Sequence, residues 1–282
     1  LPTKPLVENK PDEGEIALCT LVAFNLANVN KDNIKELSDI AIRSIDALFD
    51  YQEYPVKAAE HAKNRRSIGA GVINLAYYMA KNGVKYSDGS ANNLIHELFE
   101  MLQYHLLDAS AELAGELGAC EYFGDTKYAQ GLLPIDWYNK NVDKLHTAEL
   151  KYDWEALREK IAEYGLRNST LTALMPSETS SQLSNATNGI EPPREFTTTK
   201  SSKSGNYKMV VPDVKDLYEH YELAFDMPNN VGYLNLVALM QKWVDQSISA
   251  NTYYVPSKWE SGKVPADLII SEMLHAYKHG VK

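Results

Sequence analysis

Residues 171–188 read LTALMPSETSSQLSNATN, and within them the chain changes from one kind of regular structure to another. Thr170 to Met175 (TLTALM) is a short apolar run suited to a buried strand, and Pro176 ends it. Five polar residues follow, Ser177, Glu178, Thr179, Ser180 and Ser181, and then a segment able to start a helix. A strand that turns into a helix leaves the first backbone N–H groups of the helix unpaired and pointing outward. With the helix dipole, they make an anion site. Ser and Thr hydroxyls add donors without bulk. The plainer reading of the same residues is a Ser/Thr-rich cap that binds nothing, and patterning leaves both open. Glu178 is an awkward neighbour for a phosphate unless its side chain faces away and only its N–H contributes.

Upstream, Ile16 to Ala27 (IALCTLVAFNLA) is a second apolar run, expected to be a fully buried strand, and it carries Cys19. Residues 1–15 are rich in Pro, Lys and Glu and read as an extended arm. Ile34, Leu37, Ala41, Ile45 and Leu48 recur at the spacing of one helix face between Asn33 and Phe49. A second helix is expected from Ser67 to Asn82, stopping at Gly83. A long third helix is expected to be capped by Ser90 and ended by Gly118. Residues 119–150 read as irregular connection. Asp153 then caps a helix that closes at Gly165. Downstream, Phe196–Val211 predicts a hairpin around Ser204-Gly205-Asn206, and helical stretches are expected near 214–226, 231–247 and 265–279. Strands alternating with amphipathic helices give a helix-rich α/β fold, with no repeat or linker dividing residues 1–282.

Composition narrows the function classes. Acidic residues outnumber basic ones, 38 to 28, which argues against a partner made of nucleic acid or anionic membrane. The local cluster Lys63-Asn64-Arg65-Arg66 stays a candidate to meet a phosphate. No apolar run approaches the ~20 residues that span a bilayer, and no signal peptide opens the chain. Two cysteines, Cys19 and Cys120, are too few for a disulfide-stapled secreted scaffold, so a reducing cytoplasm is expected. The chain begins Leu1-Pro2-Thr3 without methionine, as a piece of a longer, split or processed polypeptide would.

Other candidates carry less. On pattern alone Cys19 packs as a small hydrophobe, and its alternative reading as a redox thiol needs a partner thiol. Cys120, just past a helix end, is a bystander. Gly69-Ala70-Gly71 lacks both the preceding strand and the third glycine of a dinucleotide fingerprint. His275 and His279 lie four apart on a helix without the glutamate of a zinc protease, and a solvated face is expected. Tyr77-Tyr78 and Tyr253-Tyr254 read as core and interface aromatics.

Longer words reach further than patterning. MPSETSSQLSNATNGIEPP (175–193), NRRSIGAGVINLAYYMAKNG (64–83), YSDGSANN (86–93) and DQSISANT (245–252) closely resemble the large subunit of class I ribonucleotide reductase. GEIALCTLVAFNLA (14–27) is similar to that family's barrel strand bearing one redox cysteine. The resemblance runs through the whole chain in order, and is nearest to the class Ia type of bacteria and their phages. It implies the second half of a ten-stranded α/β barrel, with surrounding helices and a hairpin. Cys19 then becomes one member of an active-site dithiol whose partner lies outside residues 1–282. Ser177, Glu178, Thr179 and Ser180 become the substrate diphosphate cradle.

The implied activity is reduction of ribonucleoside diphosphates to deoxyribonucleoside diphosphates by radical chemistry. No cofactor is expected on this chain, and the metal and tyrosyl radical are expected on a separate small subunit. Expected partners are the N-terminal part of the large subunit, the small subunit, a second large subunit, and thioredoxin or glutaredoxin as reductant. The family's Asn-x-Cys-x-Glu finger-loop motif is absent, as is the Tyr-Tyr pair that follows its Gly-Val-Lys. Residues 1–282 are therefore expected to be incomplete alone. The alternative is an interaction module that keeps the barrel surface and reduces nothing.

Overall fold

The computed structural model describes residues 3–10, 12–202 and 205–282. Two strands, β1 (Thr20–Asn25) and β2 (Ile68–Ile73), pair in parallel, with Thr20 opposite Ile68 and Asn25 opposite Ile73. A parallel pair needs a long crossover. Here it is α1 (Ile34–Tyr51), followed by the single turn α2 (Lys57–Glu60). On the other side of β2 lies the extended 170–173 segment. The Ile68 N–H donates to the Thr170 carbonyl at 2.9 Å and the Ala173 N–H to the Ala70 carbonyl at 3.1 Å. One place further, the Gln246 N–H donates to the Thr172 carbonyl at 3.2 Å. Four neighbouring segments thus form one layer, of which β1 and β2 alone are regular strands.

Of the expected half-barrel, a parallel layer with few regular strands is present among the described residues. The fold is helix-rich α/β, but no barrel closes among the described residues, and β1 offers its outer edge to no strand. Closure requires both edges of a sheet to pair. β1 is also not the fully buried strand expected over 16–27, because α4 covers only one face of the layer. It begins at Thr20, and Leu21 is 48% exposed while Phe24 on the opposite face is 7% exposed.

β2 corrects a second expectation, since Ile68–Ile73 is a strand and not the start of a helix. A Cβ built on Gly71 would lie 2.4 Å from the Ala173 carbonyl oxygen, so only glycine lets the two segments approach. Asn74, in the left-handed region at φ 73°, turns β2 directly into α3 (Leu75–Lys81). Next comes α4 (Asn92–Leu117), ended by Gly118 at φ 84°. Ser90 does not cap it: its hydroxyl donates to Asp88 and accepts the Lys85 N–H, which holds the preceding turn instead. After the irregular 119–150 region with its single turn α5 (Pro134–Trp137) comes α6 (Trp154–Tyr164). It is capped as expected by the Asp153 carboxylate, which accepts the Ala156 N–H at 2.9 Å.

The remaining elements are α7 (Glu178–Leu183), the antiparallel hairpin β3 (Thr197–Ser202) and β4 (Gly205–Val210), the single turn α8 (Val214–Leu217), α9 (Val231–Trp243) and α10 (Ala266–Lys278). Of the expected turn cluster, Ser204 lies outside the described residues, as do Leu1, Pro2 and Pro11 of the arm. α4 is the hub of the helical layer, with α1, α6 and α9 packed against it and α10 on α9. Phe99, Leu102 and Leu106 of α4 face Phe24, Ala70, Val72, Thr172 and Leu174 of the sheet layer. The core therefore lies on one side of the sheet, and the Cys19 side is left for chemistry.

Two charged features differ from expectation. Arg65 and Arg66 are not available to a phosphate. Arg65 pairs with Glu15 at 2.8 Å, and Arg66 with Asp46 at 2.6 Å and Asp50 at 2.8 Å. His275 and His279 do not form a solvated face. His279 is buried, its ring 4.3 Å from that of His275, whose Nε2 lies 2.6 Å from Asn235 Oδ1.

Candidate functional site

Cys19 stands one residue before β1 and is half-buried, with its sulfur against β2. A Cβ on Gly69 would lie 2.8 Å from Sγ and 3.3 Å from the Ala173 Cβ, so the missing side chain of Gly69 makes room for the thiol. The side-chain amide of Gln246 donates to Sγ at 3.3 Å. Burial pushes the Cys19 thiol above the ordinary cysteine range, the Gln246 hydrogen bond pulls it down, and burial prevails. Cys120 is a different kind of residue, 4% exposed and pushed up to about 11 by burial. Both cysteines are free.

The segment holding Gln246 is fixed by its neighbour. The Asp245 carboxylate accepts the N–H groups of Leu171 at 2.7 Å and Thr172 at 3.2 Å, the Gln103 amide at 3.2 Å and the Tyr128 hydroxyl. The Thr172 hydroxyl accepts the Asp245 N–H at 2.9 Å and donates to Gln103 Oε1 at 2.8 Å. Burial raises the Asp245 carboxyl against these four donors. The network joins the strand that leads to the polar turn, the 245–246 segment and α4 in one unit.

Ser177 caps α7 in position but not through its hydroxyl. It is 3% exposed, and its Oγ donates to Asn188 Oδ1 at 2.8 Å. The Ser177 carbonyl accepts the Ser181 N–H at 2.8 Å and the Ser180 hydroxyl at 3.2 Å. Glu178, Thr179 and Ser180 are exposed. Among the described residues, nothing takes up the N–H of Thr179 or Ser180, or the Thr179 hydroxyl. The turn therefore offers two backbone donors and one hydroxyl, fewer side-chain donors than its composition suggests. Its far side is anchored by Asn74, whose Oδ1 accepts the Thr187 N–H at 3.0 Å.

Cys19 and the turn belong to the same set of parallel segments. Ala173, beside the Cys19 sulfur, precedes Ser177 by four residues, at most ~14 Å of chain. A separate cleft of about 340 Å³ opens between α7 and the hairpin, lined by Glu178, Gln182, Glu191, Arg194 and Thr198 among others. Three carboxylates, Glu178, Glu191 and Glu195, against one guanidinium make it unfavourable to a phosphate, and Cys19 is not among the residues lining it. Sequence reasoning passed over Gln246, Asp245 and Asn188. The word DQSISANT was the one signal for the first two, and it gave no chemistry for either residue.

Residues 6–282 match the family model described as ribonucleotide reductase, barrel domain. The ribonucleoside-diphosphate reductase subunit alpha of Haemophilus influenzae is 61% identical across the whole of this chain, which covers 38% of that protein. The corresponding subunit of Enterobacteria phage T4 is 50% identical over 97% of the chain and 37% of its own length. In Escherichia coli K12, the ribonucleoside-diphosphate reductase 1 subunit alpha is 61% identical over 83% of the chain and 31% of its own length. The chain thus spans less than two fifths of the curated relatives it matches. With the parallel segments, the half-buried thiol and the polar strand-to-helix turn all in place, the chain belongs to the ribonucleotide reductase barrel-domain family.

Proposed function

We propose that residues 1–282 form part of the catalytic subunit of a class Ia ribonucleoside-diphosphate reductase, working in the cytoplasm. In this reading Cys19 is one thiol of the active-site pair. Removing the 2′-hydroxyl of the ribose as water takes two electrons and two protons. Two thiols supply both as they join in a disulfide, which thioredoxin or glutaredoxin then reduces. The second thiol and the remaining barrel strands come from the preceding part of the subunit. The radical that starts the reaction comes from the metal and tyrosyl centre of a small subunit, and two large subunits associate.

One observation carries the reading. The Cys19 thiol is half-buried and hydrogen-bonded, on the same set of segments that delivers the Ser177–Ser180 turn, whereas Cys120 is sealed in the core. The turn supports a diphosphate through the N–H groups of Thr179 and Ser180 and the Thr179 hydroxyl, with Ser177 holding its shape and Glu178 opening the helix that carries them. The thiolate is the reactive form of cysteine, so a thiol held above the ordinary range is kept protonated and ready to give hydrogen.

In the assembled reductase, Cys19→Ser is expected to leave substrate affinity unchanged and to abolish multiple turnover. Sustained thioredoxin-supported deoxynucleotide formation by the variant would overturn the assignment.

A further inference from the structure

Cys19 has a neighbour whose placement serves the sulfur. The Gln246 side chain reaches Sγ from a backbone locked on both sides. Its N–H donates to the Thr172 carbonyl at 3.2 Å, and its own carbonyl accepts the Gln241 amide at 3.0 Å. The preceding residue, Asp245, is tied down by the four donors already described. Across the sulfur stands Gly69, where any side chain would press on Sγ. The thiol is thus held between a glycine gap and an amide whose position the surrounding hydrogen bonds fix. We infer that Gln246 is a positioning residue for Cys19: its amide holds the sulfur in one orientation and favours the thiolate whenever the dithiol exchanges with a disulfide.

The inference rests on Cys19 being the reactive thiol, and its physics is that of a single hydrogen bond. An N–H donor pointed at sulfur stabilises the anionic form more than the neutral one. Thiol–disulfide exchange needs that anion both as attacking group and as leaving group. Burial opposes it, since it disfavours charge. Gln246 therefore offsets part of the burial penalty at the step that regenerates the dithiol. The amide keeps a neutral side chain beside the sulfur and gives no proton away. A lysine would add a charge, and a leucine would leave the burial unopposed.

Two variants separate this role from packing. Gln246→Leu keeps the bulk and removes the donor, while Gln246→Glu keeps the shape and puts a negative charge near the sulfur. The measurement is the rate of alkylation of Cys19 by iodoacetamide as a function of pH, read by peptide mass spectrometry in the complete polypeptide carrying these residues. Iodoacetamide forms a C–S bond with the thiolate and releases iodide, so the pH midpoint reports the thiolate fraction. The midpoint is expected to rise by about one pH unit in Gln246→Leu and further in Gln246→Glu. Cys120, sealed by burial, should stay unmodified near neutral pH in every variant that remains folded. Should one variant fail that folding control, the other still decides. An unchanged midpoint in a folded variant would overturn the role of Gln246 and leave the Cys19 assignment standing. Loss of that assignment shows instead in the turnover of Cys19→Ser.

Discussion

Three hydroxyls stand in the Ser177–Ser180 turn, and two of them already have protein partners, Asn188 Oδ1 and the Ser177 carbonyl. Among the described residues, the Thr179 hydroxyl alone of the three is left to reach a ligand. Thr179→Val is expected to weaken substrate binding by about 1–2 kcal/mol, since the backbone donors remain. Calorimetry on the assembled enzyme checks this, and equal affinities would place the diphosphate elsewhere. His96 gives a second prediction at this scale. Its ring is fully buried, 3.0 Å from the Lys242 ammonium and stacked at 3.7 Å on His146, and burial with that charge lowers it to about 3. The unfolded chain takes up a proton near pH 6.5 and the native ring does not. Stability is therefore present above that value and falls as pH drops toward about 3. Between about pH 6.5 and 5 the loss should approach ~1.4 kcal/mol per pH unit, with lowered His146 adding in the same sense. Urea midpoints measured against pH should lose much of this slope in His96→Gln, and an equal slope would refute it.

Secondary structure was legible where one residue decides an element's end. Asp153, Gly118 and Gly165 mark real termini because each acts through local backbone geometry. Ser67–Asn82 was misread for a physical reason. Ile68, Val72, Leu75, Ala76 and Met79 satisfy helical spacing, yet a strand buried on both faces satisfies the same pattern, and the break falls at Asn74 in a left-handed conformation. The polar turn after Met175 could be read as a candidate anion site because the donors are contiguous. Gln246 could not, because its contact with Cys19 spans 227 positions. The same holds for Asp46, which reaches from α1 to Arg66 at 2.6 Å and Arg167 at 3.0 Å. Asp46→Ala leaves two guanidinium groups short of a counter-charge and should destabilise the fold by ~3–5 kcal/mol, read as a lower urea midpoint. A shift below ~1 kcal/mol would mean that Asp50 suffices for Arg66.

At the scale of the whole molecule, the decisive feature is a sheet edge. Among the described residues β1 presents an unpaired edge with Leu21 half exposed, and a free edge of this kind pairs with whatever strand is available. The Cys19 sulfur faces inward over β2, and Cys120 is buried and free. The resemblance of long words made the family legible before any geometry. The extent of the sheet was not legible, because strand pairing joins segments far apart in sequence, as β1 with β2 and β2 with the 170–173 segment. The most direct measurement is an assay of residues 1–282 alone, with small subunit, effector, reductant and a ribonucleoside diphosphate, and again with the N-terminal part of the subunit added. The prediction is no deoxynucleotide above background for residues 1–282 alone, and recovery of substrate binding once the N-terminal part is present. Deoxynucleotide formed by residues 1–282 alone would contradict the account.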